Sequence, residues 1–181
     1  MPYFLLSRGF CAAALLSLNA CSLTGGGAAE GIGFREARFA EIAADRAWRA
    51  CVEDALALDR EARTDAAPAR YLASARLLEK CESDLDPGVK VAEEERLRAY
   101  AVAVQNAFRG GDAVKARDTL ERLRKAFPGK DLYGPNGESF IDTMELLLGL
   151  KDRNAVGEFA TANVSEAVKG ELRRARYWTR N

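Results

Sequence analysis

The chain contains no histidine. That absence removes the usual general base, the usual partner of a nucleophilic serine and the commonest metal ligand together. Catalysis on carboxylates, lysine or cysteine stays open, but no cofactor and no metal site is expected. An excess of either charge is also missing, since 27 basic side chains stand against 27 acidic ones. The basic footprint of a nucleic-acid binder is therefore lacking, and the surface reads as solvated and of mixed sign. Alternating runs of β-branched residues are nearly absent, and the Asn136-Gly137 pair does not sit between such runs. What is present is 48% hydrophobic residues in a chain of 181, enough for the core of one domain. The fold class is all-α.

Arg8 precedes Gly9 to Leu18 (GFCAAALLSL), an apolar run with the length of a signal-peptide core and too short to span a bilayer. It ends in Leu18-Asn19-Ala20-Cys21, which resembles the lipobox of bacterial lipoproteins: an aliphatic residue, two usually small residues, then the cysteine that receives the lipid. Asn19 departs from the small or aliphatic residue usual at its position. The resemblance implies a signal peptide over residues 1–20, cleavage before Cys21, and lipid on Cys21 with acyl groups such as palmitate. An ordinary secretory leader cut elsewhere, with Cys21 an incidental thiol, is the other reading. Ser22 stands where aspartate resembles an inner-membrane retention signal, so the resemblance implies an outer-membrane anchor facing the periplasm.

Ser22 to Gly33 (SLTGGGAAEGIG) is too rich in glycine and small residues to bury a core, and reads as a flexible tether of residues 21–33 before a domain over 34–181. Twelve such residues reach roughly 40 Å fully extended. With Cys11 in the leader and Cys21 lipidated, Cys51 and Cys81 remain, in an oxidising compartment. Phe34 to Arg63 predicts a long helix with Ala37, Ala40, Ala44, Trp48, Cys51, Ala55 and Leu58 on one stripe. Asp65 is placed to cap a second helix, with Pro68 in its first turn and Tyr71, Ala75, Leu78, Cys81 and Leu85 facing inward. If the hairpin turns near Ala66, both cysteines fall level at roughly 22 Å from the bend, at 1.5 Å per residue. That geometry predicts a Cys51–Cys81 disulfide, against two buried free thiols. A redox role is disfavoured, because there is no Cys-x-x-Cys pair and no histidine to lower a thiol pKa.

Asp86-Pro87 is expected to open a third helix through Val91, Leu97, Tyr100, Ala101, Val104, Ala107 and Phe108, stopped by Gly110-Gly111. Asp112 caps a fourth with Ala116, Leu120, Leu123 and Phe127 inward, ended by Pro128-Gly129. Leu97 to Pro128 is similar to a tetratricopeptide repeat, with Tyr100 early in the first helix, Gly111-Asp112 at the turn, Ala116 at the crossing, Leu120 and the closing Pro128. The resemblance implies antiparallel helical hairpins in a right-handed stack of two to three irregular units. Ala103, Val104 and Ala107 depart from the family's preferred residues, and Gly134-Pro135-Asn136-Gly137 interrupts the period; a generic helical bundle is the other reading. Ser139 to Gly149 predicts a short apolar helix, Asp152 to Thr161 another, and Asn163 or Ser165 caps a last helix with Val164, Val168, Leu172 and Ala175 facing the core.

Glu138-Ser139 is similar to the catalytic dipeptide of helical lytic transglycosylases, although the segment that follows it in that family is missing here. A glutamate at a helix start is also favoured by the dipole alone. Glu93-Glu94-Glu95 suits the early turns of its helix, and Arg173, Arg174, Arg176 and Arg180 suit the last helix's end, with anionic headgroups or an acidic partner as the functional alternative. In a tetratricopeptide-like stack the concave face is lined by the first helix of each unit, which implies Arg46, Arg49, Glu53, Arg98, Gln105 and Phe108 as partner-binding residues. Such a basic, polar groove would suit an acidic peptide or a free C-terminal carboxylate.

These readings converge on a lipid-anchored adaptor binding another envelope protein or peptide, accessory to a pilus, secretion or outer-membrane machine. A cell-wall enzyme using Glu138 and a purely structural lipoprotein are the alternatives; no nucleic acid is expected. Mass spectrometry of the protein purified from membranes is expected to show an N-terminal Cys21 carrying diacylglycerol and an acyl chain. An unmodified Cys21, or a chain starting elsewhere, would remove the anchor.

Overall fold

The computed structural model describes residues 27–152 and 163–180, with side chains for 33–152, 163–171, 173 and 174. Cys21, the expected leader and the helix expected over Asp152 to Thr161 lie outside the described residues, except that Asp152 itself is not helical. The described residues form six helices and no strand: α1 (Gly27–Asp65), α2 (Pro68–Ser83), α3 (Glu93–Arg109), α4 (Ala113–Ala126), α5 (Phe140–Leu147) and α6 (Glu166–Arg180). The all-α expectation holds. The chain divides into two compact units between Ala37 and Arg38. In the first, the described side chains, 33–37, are all exposed. Gly27 to Gly33, within the expected tether, belong to α1 instead, and the rest of that stretch lies outside the described residues.

Within the second unit, small side chains decide how closely the helices meet. Ala55 of α1, Ala75 of α2 and Ala99, Ala103 and Ala107 of α3 are all buried, and an alanine at a crossing lets two backbones approach to the short end of the usual interaxial range. Trp48, Ala55, Leu78, Cys81, Ala99 and Ala103 form one cluster joining α1, α2 and α3. Val104 and Ala107 pack with Ala116, Leu120, Met144 and Leu148 in a second, and Leu97 and Ala101 with Leu123 and Phe127 in a third. The α1 stripe is buried only from Trp48 onward; Ala37 and Ala40 are exposed, as is Phe39.

Buried polar groups link the same helices. Ser74 Oγ donates to the Ala55 carbonyl at 2.7 Å and accepts from Asn106 Nδ2 at 3.0 Å, with both side chains fully buried. Glu82 accepts from Trp48 Nε1 on α1 and from the Arg96 guanidinium on α3. The antiparallel sense of α1 and α2 is plain in the narrowing pairs Trp48–Glu82, Cys51–Cys81 and Ala55–Ser74. Cys51 and Cys81 are disulfide-bonded, with Cα atoms 5.8 Å apart, as the level placement across the hairpin predicted.

Helix ends explain where the sequence reading succeeded and where it slipped. Asp112 caps α4, accepting from Lys115 N at 2.9 Å, and Ser139 caps α5, accepting from Asp142 N at 3.0 Å. Ser165, not Asn163, opens α6, with its Oγ 3.4 Å from Val168 N. Asp65 does not cap α2: it is the last residue of α1 and pairs with Arg70, while Pro68 begins α2 without a side-chain cap. Nor does Asp86-Pro87 open α3. Asp86 accepts from Gly88 N through its carboxylate and from Val89 N through its carbonyl, closing a turn, and the helix starts at Glu93. Gly110 ends α3 under Leu72, where a Cβ would lie 2.5 Å from the leucine's Cγ and Cδ2.

The disulfide closes a loop of 30 residues, a length for which the chain-entropy model gives about 3–4 kcal/mol of stabilisation. Urea unfolding of the Cys51→Ala/Cys81→Ala variant is expected to show a loss of that size, and reductant to lower the parent's midpoint without moving the variant's. A midpoint in the parent insensitive to complete reduction would contradict the structural role.

A groove across the third helix as candidate functional site

The outward face of α3 forms the floor of two clefts. The larger, of about 590 Å³, lies between α3 and the segment from Leu132 to Leu147. Ala101, Val102 and Phe108 of α3 face Leu132, Phe140, Met144 and Leu147 across it, with Arg98, Gln105 and Arg109 along one edge. The smaller, of about 290 Å³, lies between α3 and α1, walled by Trp48, Arg49, Val52, Glu53 and Leu56. Arg98 and Val102 line both, so the two clefts adjoin over the middle of α3 and are together termed the groove.

The far wall is held by a set of short-range polar contacts. Asp131 accepts from Leu132 N at 2.8 Å, from Ile141 N at 3.1 Å and from the Ser139 hydroxyl, seating the start of α5. Gly134 to Gly137 make a turn closed by Gly137 N to Gly134 O at 2.9 Å, with Gly137 in the left-handed region at φ +79°. Asn163 clamps that turn: its Nδ2 donates to Gly137 O at 2.6 Å and its carbonyl accepts from Ser139 N at 2.7 Å. Asp142 in turn accepts from Asn163 N at 2.7 Å and pairs with Lys151. Burial would raise the Asp142 carboxyl, but the Lys151 hydrogen bond and the Asn163 backbone outweigh it and hold it below the usual aspartate range. Arg117 ties the wall to α4 by donating to the Leu148 carbonyl at 2.7 Å.

Of the expected partner-binding residues, Arg98, Gln105 and Phe108 line the larger cleft, and Arg49, Glu53 and Arg98 the smaller. Arg46 lines neither and is exposed on α1. The reason is the late start of α3: its first turn, through Glu95, stands opposite Arg49, one turn further along α1 than Arg46. The groove is also less basic than expected. Arg49 is held by Glu95 and Asp45, Glu53 pairs with Arg60, and Arg98 with Glu94. The hydrogen bond from Glu95, then that from Asp45, keeps the Arg49 guanidinium above its ordinary value. Arg109 lies over the Tyr71 ring at 5.8 Å. Apolar walls, with cations at the rim, replace the expected polar lining. Leu132, Phe140, Met144 and Leu147 were not foreseen as groove residues; the helix of the last three was visible in the sequence, but its position against α3 was not, and Leu132 lies before it in the loop.

Glu138 reaches the larger cleft from the turn, where its Oε2 accepts from Asn136 N at 3.0 Å. Its side chain lies against Gly134, where a Cβ would stand 2.4 Å from the carboxyl carbon. The carboxylate thus closes the turn. Among the described residues no group of three or more cysteine, aspartate or glutamate side chains is arranged to hold a metal, and no helix is long and apolar enough to cross a membrane.

Behind the groove, α2 is fastened to α4 by Glu79, which accepts from Thr119 Oγ1 at 2.8 Å and pairs with Lys115 at 2.7 Å and with Arg122. Burial pushes the Glu79 carboxyl up, but the hydrogen bonds from Lys115 and Thr119 and the Arg122 charge push it further down, leaving it below 4.5. A carboxyl depressed in the folded state stabilises fully above its unfolded value and loses that contribution as pH falls through the folded one. Urea midpoints are therefore expected to drop below pH 4.5. Glu79→Gln should lose about 1–2 kcal/mol at neutral pH and show a shallower acid limb. An acid limb of unchanged slope in the variant would contradict this assignment.

No family model matches the chain, and neither a characterised protein nor a solved structure shows significant similarity to it.

Proposed function

We propose that the protein is a lipid-anchored adaptor of the bacterial envelope, held by Cys21 and facing the periplasm, that binds an extended segment of another envelope protein in the groove over α3. The observation that carries this reading is the adjacency of two clefts along α3, which share Arg98 and Val102 as lining residues. The helix order supports a tetratricopeptide-like arrangement. The first helices of successive hairpins, α1 and α3, together with α5, wall the groove, while α2 and α4 are joined behind it through Glu79.

The chemistry of the walls describes the occupant. Ala101, Val102, Phe108, Phe140 and Met144 offer an apolar site for one large side chain. Arg98 at the rim is exposed and, among the described residues, pairs with exposed Glu94 one turn away, a contact that adds little in water and is readily exchanged for a partner's carboxylate. Gln105, with no hydrogen bond inside the described residues, is placed to meet a peptide backbone. An acidic residue or C-terminal carboxylate beside an apolar anchor fits this sequence of sites, within a pilus, secretion or outer-membrane assembly.

Selection of displayed random peptides against the chain is expected to enrich segments with an apolar anchor next to an acid. Arg98→Glu should weaken those peptides about tenfold or more with thermal unfolding unchanged, and Val102→Ala, which trims the wall without setting a charge against the Trp48 cluster, should weaken peptides reaching either cleft. Enrichment of nothing, or peptides indifferent to both substitutions, would overturn the groove as a binding site.

A further inference from the structure

The charges of this chain cancel overall but are not evenly spread. Helix α6 carries five basic residues, Lys169, Arg173, Arg174, Arg176 and Arg180, against Glu166 and Glu171. Since the whole sequence balances at 27 of each sign, the three-charge surplus on α6 is matched by an equal deficit elsewhere. The segregation continues within the helix. Both acids fall in its first six positions, and Leu172–Arg180 holds four arginines and no acid.

Spacing arranges the cations further. Lys169, Arg173, Arg176 and Arg180 recur at intervals of four, three and four, one register stripe along an α-helix. Val168, Leu172 and Ala175 recur at four and three on a stripe one residue away. Tyr177 and Trp178 follow near the end. Arg173 and Arg174 are 64% and 73% exposed, so a partner can reach them, whereas Lys169 is 23% exposed and pairs with Glu166 at 2.8 Å. Their pairings are with the helix's own exposed acids, Arg173 at 4.0 Å from Glu166 and Arg174 beside Glu171. Neither contact offers much resistance to exchange.

We infer that α6 is a membrane-surface helix that docks on anionic phospholipid headgroups. A basic stripe beside an apolar one, ending in tyrosine and tryptophan, is the pattern of helices that lie in a bilayer interface, where aromatic rings settle at headgroup level. An acidic protein would use the arginines but would leave the aromatic pair unexplained. Because the rest of the chain is net negative, an anionic bilayer attracts α6 and repels the remainder. The contact therefore fixes which side of the molecule faces the lipid. This inference uses none of the groove residues and does not depend on lipid at Cys21.

The test is co-sedimentation of the full chain with phosphatidylcholine vesicles, with and without about one-third phosphatidylglycerol; comparing the two cancels any contribution from the apolar N-terminal run. The parent is expected to prefer anionic vesicles at least about tenfold at low salt and to lose the preference at high salt. Arg173→Glu/Arg174→Glu and the milder Arg173→Gln/Arg174→Gln should both lose it with unchanged circular dichroism. Trp178→Phe should abolish the tryptophan quenching by brominated lipid that the parent shows. Equal binding of the parent to both vesicles, retention of the preference by both variants, or binding of soluble polyglutamate without anionic vesicles would overturn the inference.

Discussion

The backbones of α1, α2 and α3 meet where Ser74 donates to the Ala55 carbonyl and receives the Asn106 amide. The packing of these three helices is arranged around that junction. A carbonyl in a regular helix already accepts one backbone bond, and a second donor reaches it only when the neighbouring helix runs very close. Small residues at Ala55, Ser74, Ala75 and Ala103 supply the closeness. The arrangement carries a penalty, because Asn106 Oδ1 is buried without a partner, and an unsatisfied amide oxygen costs about 1–3 kcal/mol. In return the contact is geometrically selective. A sliding of α3 along α2 by one turn would leave Ser74 bonded to Ala55 but strand the whole Asn106 amide in an apolar interior.

The charged residues of α2 extend the same logic outward. Glu79 and Glu82, one turn apart, point to different neighbours: Glu79 to Lys115, Thr119 and Arg122 of α4, and Glu82 to Trp48 of α1 and Arg96 of α3. Arg96 also lies over the Phe127 ring, which stands edge-on to Tyr100. Burial raises the Tyr100 hydroxyl above its ordinary value, with the Glu82 charge acting in the same direction. Helix α2 is therefore the hub of the unit, in contact with three others through specific polar groups, while α3 is left with one face open. That open face is the floor of the groove.

What could be read from the sequence depended on the range of the interaction. The Asp112 cap was legible because a cap is settled within four residues, whereas Ser139, read as the first residue of its helix, turns out to cap it. The disulfide was legible because both cysteines lie equally far from the bend, so no tertiary knowledge was needed beyond the hairpin itself. Asp86-Pro87 had the form of a helix start, but Gly88 and Val89 claimed Asp86 for a turn and the first turn of α3 formed seven residues later. That one displacement is also why Arg46 has no wall opposite it. The charge of the groove was half legible: Glu94 and Arg98 are spaced one turn apart on a helix, whereas Arg49 finds Glu95 only across two helices. The far wall was not legible as a wall. Its placement rests on Asn163 reaching back to Gly137 and Ser139, a contact with no local signature.

The bridge between Cys51 and Cys81 also bears on how the unit responds to mechanical load. A pull applied at the N-terminal end of α1 peels the helix from its neighbours one turn at a time, releasing first the Arg49–Glu95 pair and the Trp48–Glu82 hydrogen bond. The peeling reaches Cys51 and stops, because the next link is covalent. Beyond that point lie Val52, Glu53 and Leu56, the part of α1 that still walls the smaller cleft, and the Ala55 carbonyl that Ser74 holds. Force is diverted at the disulfide into α2, which polar groups tie to α3 and α4 as well, so tension on the N-terminal side strips one edge of the groove and leaves its floor in register.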